Sequence, residues 1–464
     1  MCLQARDWIR RYGGQQTIDF EGEACASEND VDRLVSRIVG VSINGTQLIL
    51  NHIYDSIGFS CIKDDILRHL VVARICQPSS KLATTSYLRS YFKEDIDLSL
   101  IYRYMDKLYN SQMELVQEIS ITHTRSILGG SIGLLFYDVT TLYFETAPKD
   151  DMRQTGFSKD GKTSEAQIVL GLLVSQDGYP LSYSIFNGSQ YEGYTMIPII
   201  DDFAHRYSLS DFVIVADSGL MNAKNIRLLR SAGYKYIIGA RIKTGSTSLR
   251  EWILSLEKTN GTAYERRKDN GDRLIVSYSE ARASNDAKNR AKGVARLEKS
   301  YRTGKLTKDK INKRGYNKFL DISKDITVSI NYDKIEEDAR WDGLKGYITN
   351  TDLDAKEVIK QYHGLWVVER AFHIGKSNLE MRPMFHFTPK RIEAHICICF
   401  VAYKVYKELE RTIRQLGIGM SVDKVLFYAK TIPTLRFRLP NGETYSERLY
   451  TMPQQEQIRP LLGD

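Results

Sequence analysis

Apolar and polar positions along the chain change their period several times, and each change predicts an element. Residues 62–75 place Ile66, Leu67, Leu70, Val71 and Ile75 at helical spacing and stop before Pro78. A second helical run covers 98–109, and the first 125 or so residues read as mainly helical. The pattern then turns to strand. Residues 132–144 (IGLLFYDVTTLYF) are rich in aromatic and β-branched side chains. Residues 166–174, the Asp177-Gly178 turn and residues 180–186 predict a hairpin beside that strand. Residues 194–207 read as a crossover helix, 212–216 (FVIVA) as a strand, 222–232 as a helix and 234–240 as a further strand. A long interruption, about 241–345, precedes a late helix.

That late helix, 362–383 (YHGLWVVERAFHIGKSNLEMRP), sets Tyr362, Glu369 and Lys376 at intervals of seven. At about 3.6 residues per turn, seven residues return to nearly the same angle, so hydroxyl, carboxylate and ammonium are expected on one stripe. The apolar residues between them imply a packed helix, and a carboxylate on such a helix needs a partner. Two other acids sit in unusual places. Asp138 interrupts the 132–144 strand, and Asp217 stands at the carboxyl end of the 212–216 strand, where open α/β sheets place their sites. A shared metal would partner all three. Taken singly, each has a plain alternative: Asp138 bonded to Thr140, Asp217 as a helix N-cap, Glu369 and Lys376 as solvated helix charges.

Acid in a first strand, acid ending a later strand and acid on a late helix is the order of the ribonuclease-H-like fold. With these residues in view the chain resembles the DDE transposases of bacterial insertion sequences, in the branch called insertion-sequence family four and marked by a Tyr-(2)-Arg-(3)-Glu-(6)-Lys signature. Tyr362, Glu369 and Lys376 match, but Leu365 holds the arginine position. Further matches are FYDVTTLYFE around Asp138, VADSGLMNAKNI around Asp217, DGLKGYITNT at 342–351 and RPMFHFTPKRIEAHICICFVAY after the signature helix.

The resemblance implies an α/β (α+β overall) protein with a mixed sheet flanked by helices. It implies a helical DNA-binding domain at 1–125, a catalytic core at 126–240 and 346–412, a mostly β, basic insertion at 241–345 and an assembly tail at 413–464. It further implies Mg2+ as two ions, with Mn2+ able to substitute, held by Asp138 as the bridging ligand, Asp217 and Glu369. Tyr362 and Lys376 would meet DNA, and Arg370 and His373 are nearby cations for the missing arginine. The implied activity is cleavage of double-stranded DNA at transposon ends, through hairpin-ended intermediates, and joining of the 3′ ends to target DNA by a homodimer in a synaptic complex. Trp252 and Trp341 are candidates for holding a flipped base or for ordinary core packing. The alternatives are a metal-dependent nuclease of the same fold without strand transfer, and a catalytically inactive DNA-binding relic.

Composition adds looser bounds. At 464 residues the chain exceeds one ordinary core, and a formal charge of +8 mildly favours a polyanionic partner. Residues 286–318 hold twelve Lys/Arg against three Asp/Glu, either a solvated face or a phosphate track. The absence of a run of about eighteen or more apolar residues, and of an apolar leader at the start, predicts no membrane span and a cytoplasmic protein, and the resemblance implies a bacterial one, nucleoid-associated when bound to DNA. Six cysteines predict reduced thiols, and Cys397 and Cys399 lie too close in sequence for zinc spacing. Residues 391–411 predict a helix behind the sheet, and Pro433, Pro440, Asn441 and Gly442 a short terminal hairpin.

Overall fold

The computed structural model describes residues 35–144, 149–157, 164–220, 222–303, 315–322, 328–382, 384–439 and 441–463. Residues 1–34 of the expected helical domain, residues 304–314 of the basic run, Glu145, Met221 and Pro383 of the quoted motifs and Pro440 of the expected hairpin lie outside the described residues.

The described chain opens with strand β1 (Ile38–Ile43), followed by helices α1 (Gly45–Ile57), α2 (Asp65–Cys76), α3 (Lys81–Tyr87), α4 (Leu98–Ser111) and α5 (Met113–Ile127). Side chains of Asp64, Ser80 and Asp97 accept backbone N–H groups at the starts of α2, α3 and α4, satisfying donors that a helix start leaves open. Among the described residues, the region expected to be helical is therefore mainly helical apart from β1.

Next come β2 (Leu134–Tyr143), β3 (Gln167–Ser175), β4 (Pro180–Asn187), α6 (Met196–Arg206), β5 (Val213–Ala216), α7 (Ala223–Ser231) and β6 (Lys235–Ala240). Gly178, at φ +82, makes the turn between β3 and β4 that the Asp-Gly pair predicted. The main sheet has eight strands in the order β4-β3-β2-β5-β6-β11-β8-β7. β2, β3 and β4 pair antiparallel, and β5 and β6 then run parallel to β2. An antiparallel meander whose first strand pairs in parallel with β5, with β6 parallel beyond it, is the ribonuclease-H-like arrangement expected from the order of the acids.

The interruption supplies α8 (Thr247–Ser255), β7 (Ala263–Arg267), β8 (Arg273–Tyr278), α9 (Glu280–Arg302), β9 (Leu320–Ile322), β10 (Val328–Ile330) and α10 (Tyr332–Ala339), and β11 (Leu344–Thr349) follows. Here the structure departs from the mostly β expectation. Residues 280–302 are rich in Ala, Lys, Arg and Glu and hold one β-branched residue, Val294, which favours a long helix over strands. Meanwhile β7, β8 and β11 extend the main sheet itself.

The signature stretch also differs from expectation. It is divided into α11 (Ala355–His363), α12 (Trp366–His373) and a π-helical turn at Ile374–Asn378. Tyr362, Glu369 and Lys376 thus stand on three consecutive segments, and the widened turn breaks the phase of seven. Gly364, at the junction of the two helices, meets a steric demand. A Cβ there would lie 2.5 Å from the Phe136 ring of β2, so only glycine lets the chain come this close to the sheet.

The chain closes with α13 (Pro389–Gln415), α14 (Val422–Ala429), β12 (Pro433–Arg438), β13 (Thr444–Arg448) and α15 (Pro453–Ile458). The terminal hairpin pairs with β1, tying the start of the described chain to its end. Among the described residues no helix is long and apolar enough to cross a membrane.

Strand alternation sorts the core onto two faces. Phe136 and Leu142 of β2, Val215 of β5, Ile237 of β6 and Tyr347 of β11 share one apolar cluster with α11, α12, α13 and the early helices. Leu135, Tyr137, Ile214, Ile238 and Ile348 belong to the other, beneath α6 and Trp341. Between α13, α5 and the β3–β4 turn runs a buried polar network. Lys404 donates to the Ser120 carbonyl at 2.9 Å and lies 4.4 Å from the centre of the Tyr179 ring, while Tyr179 donates to Glu408 at 2.7 Å. Burial would raise the Glu408 carboxyl, but His123, Arg411 and Tyr179 together hold it down to about 2.

The close approach at Gly364 generates a prediction. Gly364→Val should destabilise the protein by about 1–3 kcal/mol through overpacking against Phe136. A urea midpoint equal to or above that of the parent protein would disprove this account of Gly364.

Candidate functional site

The site is assembled by register. Parallel pairing of β2 with β5 sets Tyr137 opposite Ala216, so the next residues on each strand, Asp138 and Asp217, are neighbours at the carboxyl end of the pair. Both follow the alternation of Phe136 and Val215 and lie on the face covered by α11 and α12. β6 and β11 continue the row. Ala216 pairs with Ile238 and Gly239 with Tyr347, so Asp138, Asp217, Gly239 and Tyr347 line up across four strands.

Tyr362, at 7 % exposure, organises this row. Its hydroxyl donates to Asp217 Oδ1 at 2.8 Å, and its ring meets that of Tyr347 edge-on at 4.9 Å. The hydroxyl occupies the space beside Gly239, where a Cβ would approach it to 2.5 Å. Burial would raise the Asp217 carboxyl, but the Tyr362 hydroxyl, the backbone N–H groups of Ser218 and Gly219 and the Lys345 charge hold it below the ordinary value. The same contacts push the Tyr362 hydroxyl up, through burial first and then the Asp217 charge.

Glu369 is exposed on α12, whose Val368, Ala371 and Phe372 are buried against the sheet. Lys376 borders an apolar cavity with Thr140 and Leu142 of β2, and so lies along the same strand as Asp138. Arg370 is paired with Glu410 of α13, and His373 is exposed. Leu365, at the arginine position of the signature, is 6 % exposed in the core. Trp341 is buried at 4 %, and Trp252 packs against the same cluster with Arg266 over its ring, both in ordinary packing positions.

Two cations at the site went unrecognised in the sequence. Lys345 on β11 points to the same face as Tyr347, and its Nζ sits 5.0 Å from the centre of the Tyr362 ring. Burial lowers its ammonium, Arg282 lowers it further, and the charges of Asp217 and Glu369 oppose the shift. The second is Arg282, from the first turn of α9. The 342–351 motif contained Lys345, but a lysine in a strand reads as solvent-facing until the neighbouring strands are known.

Three carboxylates provide the hard oxygen donors that Mg2+ or Mn2+ prefers. Two of them are register neighbours, and the third feels the same lysine as Asp217. Among the described residues, however, no three Asp, Glu, His or Cys side chains form a cluster able to hold an ion. The donor set fits a divalent metal in chemistry and in facing, without being gathered at one point.

Comparison with known proteins adds the following. The family described as "Transposase DDE domain" matches residues 129–404, which include Asp138, Asp217 and Glu369. No curated protein matches. Among solved structures, a piggyBac transposase synaptic complex with hairpin DNA, determined by cryo-EM, is similar at 11 % identity and a TM-score of 0.41, over 83 % of this chain and 79 % of that one.

The Tyr362–Asp217 bond carries a pH signature. A carboxyl held below its ordinary value contributes stability above that ordinary value, and the contribution is lost as pH falls through the depressed one. Tyr362→Phe should therefore cost about 0.5–1 kcal/mol at pH 7, the lower part of the usual range because Asp217 is partly exposed. The gap from the parent protein should shrink below about pH 4. Urea denaturation at both pH values checks this, and a gap that persists unchanged in acid would remove Asp217 as the partner responsible.

Proposed function

The chain belongs to the transposase DDE domain family, and we propose that it is a DNA transposase of the bacterial insertion-sequence type. In this reading it cuts double-stranded DNA at the ends of its element and joins the 3′ ends to target DNA. The observation that carries the reading is the register pairing that brings Asp138 beside Asp217 beneath the helix of Glu369. Supporting it are the Tyr362 bond that orders Asp217 and the retained Lys376 of the signature.

Asp138, Asp217 and Glu369 are the residues proposed to hold two Mg2+ ions, with Mn2+ as a substitute. Such ions stabilise charge on the attacking and leaving oxygens of an in-line displacement at phosphorus. The protein's own part is positional. The sheet fixes Asp138, Tyr362 fixes the rotamer of Asp217, and α12 presents Glu369 at the open rim. Tyr362, as placed here, acts through Asp217 rather than by touching DNA. Lys376 is proposed to meet a backbone phosphate as a point charge. Arg370 is held by Glu410, which leaves His373 as the more available of the two nearby cations.

The division of labour is likewise a proposal. The helical region up to about residue 125 would engage transposon ends, the exposed basic face of α9 would track phosphates, and β12, β13 and α15 would serve assembly. Two DNA ends must be held together for transposition, so a synaptic homodimer is expected. The location implied is the bacterial cytoplasm at the nucleoid.

The direct test is a labelled duplex that carries the boundary of the encoding element, incubated with and without Mg2+. Metal-dependent nicking at the boundary is expected, with joining to target DNA thereafter. Asp138→Asn and Glu369→Ala should each reduce cleavage by at least about a hundredfold, the scale of losing an electrostatic catalytic group. Duplex binding should stay within a few-fold. Cleavage without joining would favour a nuclease, and binding without cleavage in either metal an inactive relic.

A further inference from the structure

Leu365 leaves the signature without its arginine, and two other cations lie nearby, Lys345 acting on Asp217 and Arg282 acting on Lys345. Lys345 reaches the site from β11, two residues after Gly343. The first turn of α9 is fastened to that same glycine: Ser279 N–H donates to the Gly343 carbonyl at 3.1 Å, and Gly343 N–H donates to Asp286 at 3.2 Å. A Cβ on Gly343 would approach the Ala283 Cβ to 2.9 Å, so α9 and β11 touch with no room to spare. Arg282 stands one residue before Ala283 at this contact, and its charge acts on Lys345. The fields of Arg282 and Lys345 are felt together by this pocket, since Arg282 acts on Lys345, Tyr362 and Tyr347.

Neither cation is consumed by the fold. Among the described residues Lys345 makes no ion pair; its ammonium rests over the Tyr362 ring at 5.0 Å, near Asp217 and Glu369 but bonded to neither. Arg282 has a loose pair with Asp286 at 3.8 Å and a side chain 46 % exposed. A half-buried ammonium without a direct acceptor is costly unless a ligand supplies one. The acceptor must sit at the rim, outside the row of acids, and carry negative charge to face two cations.

We propose that Lys345 and Arg282 form a two-cation subsite for one DNA backbone phosphate beside the acids. The proposal rests on the transposase reading for the identity of the polyanion. It places the phosphate contact on the rigid sheet and on the inserted helix, so α9 and the catalytic face grip the same strand.

The test measures binding of the full chain by fluorescence anisotropy, in Ca2+, to two duplexes: one ending at the element boundary and one of random sequence. Lys345→Ala and Arg282→Ala should each weaken binding of the boundary duplex about tenfold and reduce the slope of log affinity against log salt by about one. Lys345→Arg should restore most of the loss. A single methylphosphonate, which removes one phosphate charge, should abolish the difference between parent and Lys345→Ala at one linkage near the boundary and at no other. Parent-like affinity and slope in both alanine variants would overturn the proposal, as would a Lys345→Ala deficit indifferent to every methylphosphonate position. If Lys345→Ala loses its circular-dichroism signal, Lys345→Gln with Arg282→Ala decides in its place. The transposase reading fails separately, by absence of boundary cleavage in Mg2+. In that case the salt slopes on the random duplex still test the two cations.

Discussion

Parallel pairing of β2 with β5 is the constraint on which this molecule turns. Side chains alternate along a strand with a period of two, so a slip of one residue would send Asp138 or Asp217 to the opposite face. The register is held by burial on both sides. Phe136 and Val215 face the helices α11 to α13, while Leu135, Tyr137, Ile214 and Ala216 face α6. Moving either strand by one position would place a carboxylate among the side chains under α6 and expose several apolar groups. The alignment of the two acids is thus enforced by the whole core rather than by any contact between them.

Around that pair, space is as important as charge. Gly239 leaves the volume into which the Tyr362 hydroxyl reaches, and Gly364 lets the α11–α12 junction settle on Phe136. Without those two small residues Tyr362 would stand farther from Asp217 and α12 farther from the sheet. The break that Gly364 permits also frees Glu369 from the stripe shared with Tyr362. A straight helix would have buried or exposed both together, whereas here Tyr362 is buried and Glu369 is open to solvent.

The flanking regions are bound to this frame rather than appended to it. Helix α13 packs against α1, α2, α4 and α5, and the Lys404–Glu408 network closes the gap to α5 and to the β3–β4 turn. Such a network is costly to bury unless every member is paired, and removing one partner would leave a charge stranded. On the other side, β8 pairs with β11 and continues the sheet, so the inserted helix α9 is anchored close to the site. That attachment sets the start of the inserted helix against the strand that carries Lys345.

Much of the sheet was legible in the chain because its signals are local. The aromatic and β-branched run around Asp138, the Asp177-Gly178 turn and the short apolar strand before Asp217 each state their own structure through propensity and period. The long helix ending the core declares itself in the same way. What the sequence could not state was whatever depends on residues distant along the chain. The phase of Tyr362, Glu369 and Lys376 was lost because Phe136, more than two hundred positions earlier, determines where Gly364 sits. The role of Lys345 was hidden because its face is set by pairing with β6 and β8, and that of Arg282 because α9 docks on Gly343. Sequence alone determined which elements form and which acids interrupt them; tertiary structure decided which side chains meet, because register and close packing are properties of pairs of strands and helices and not of either one.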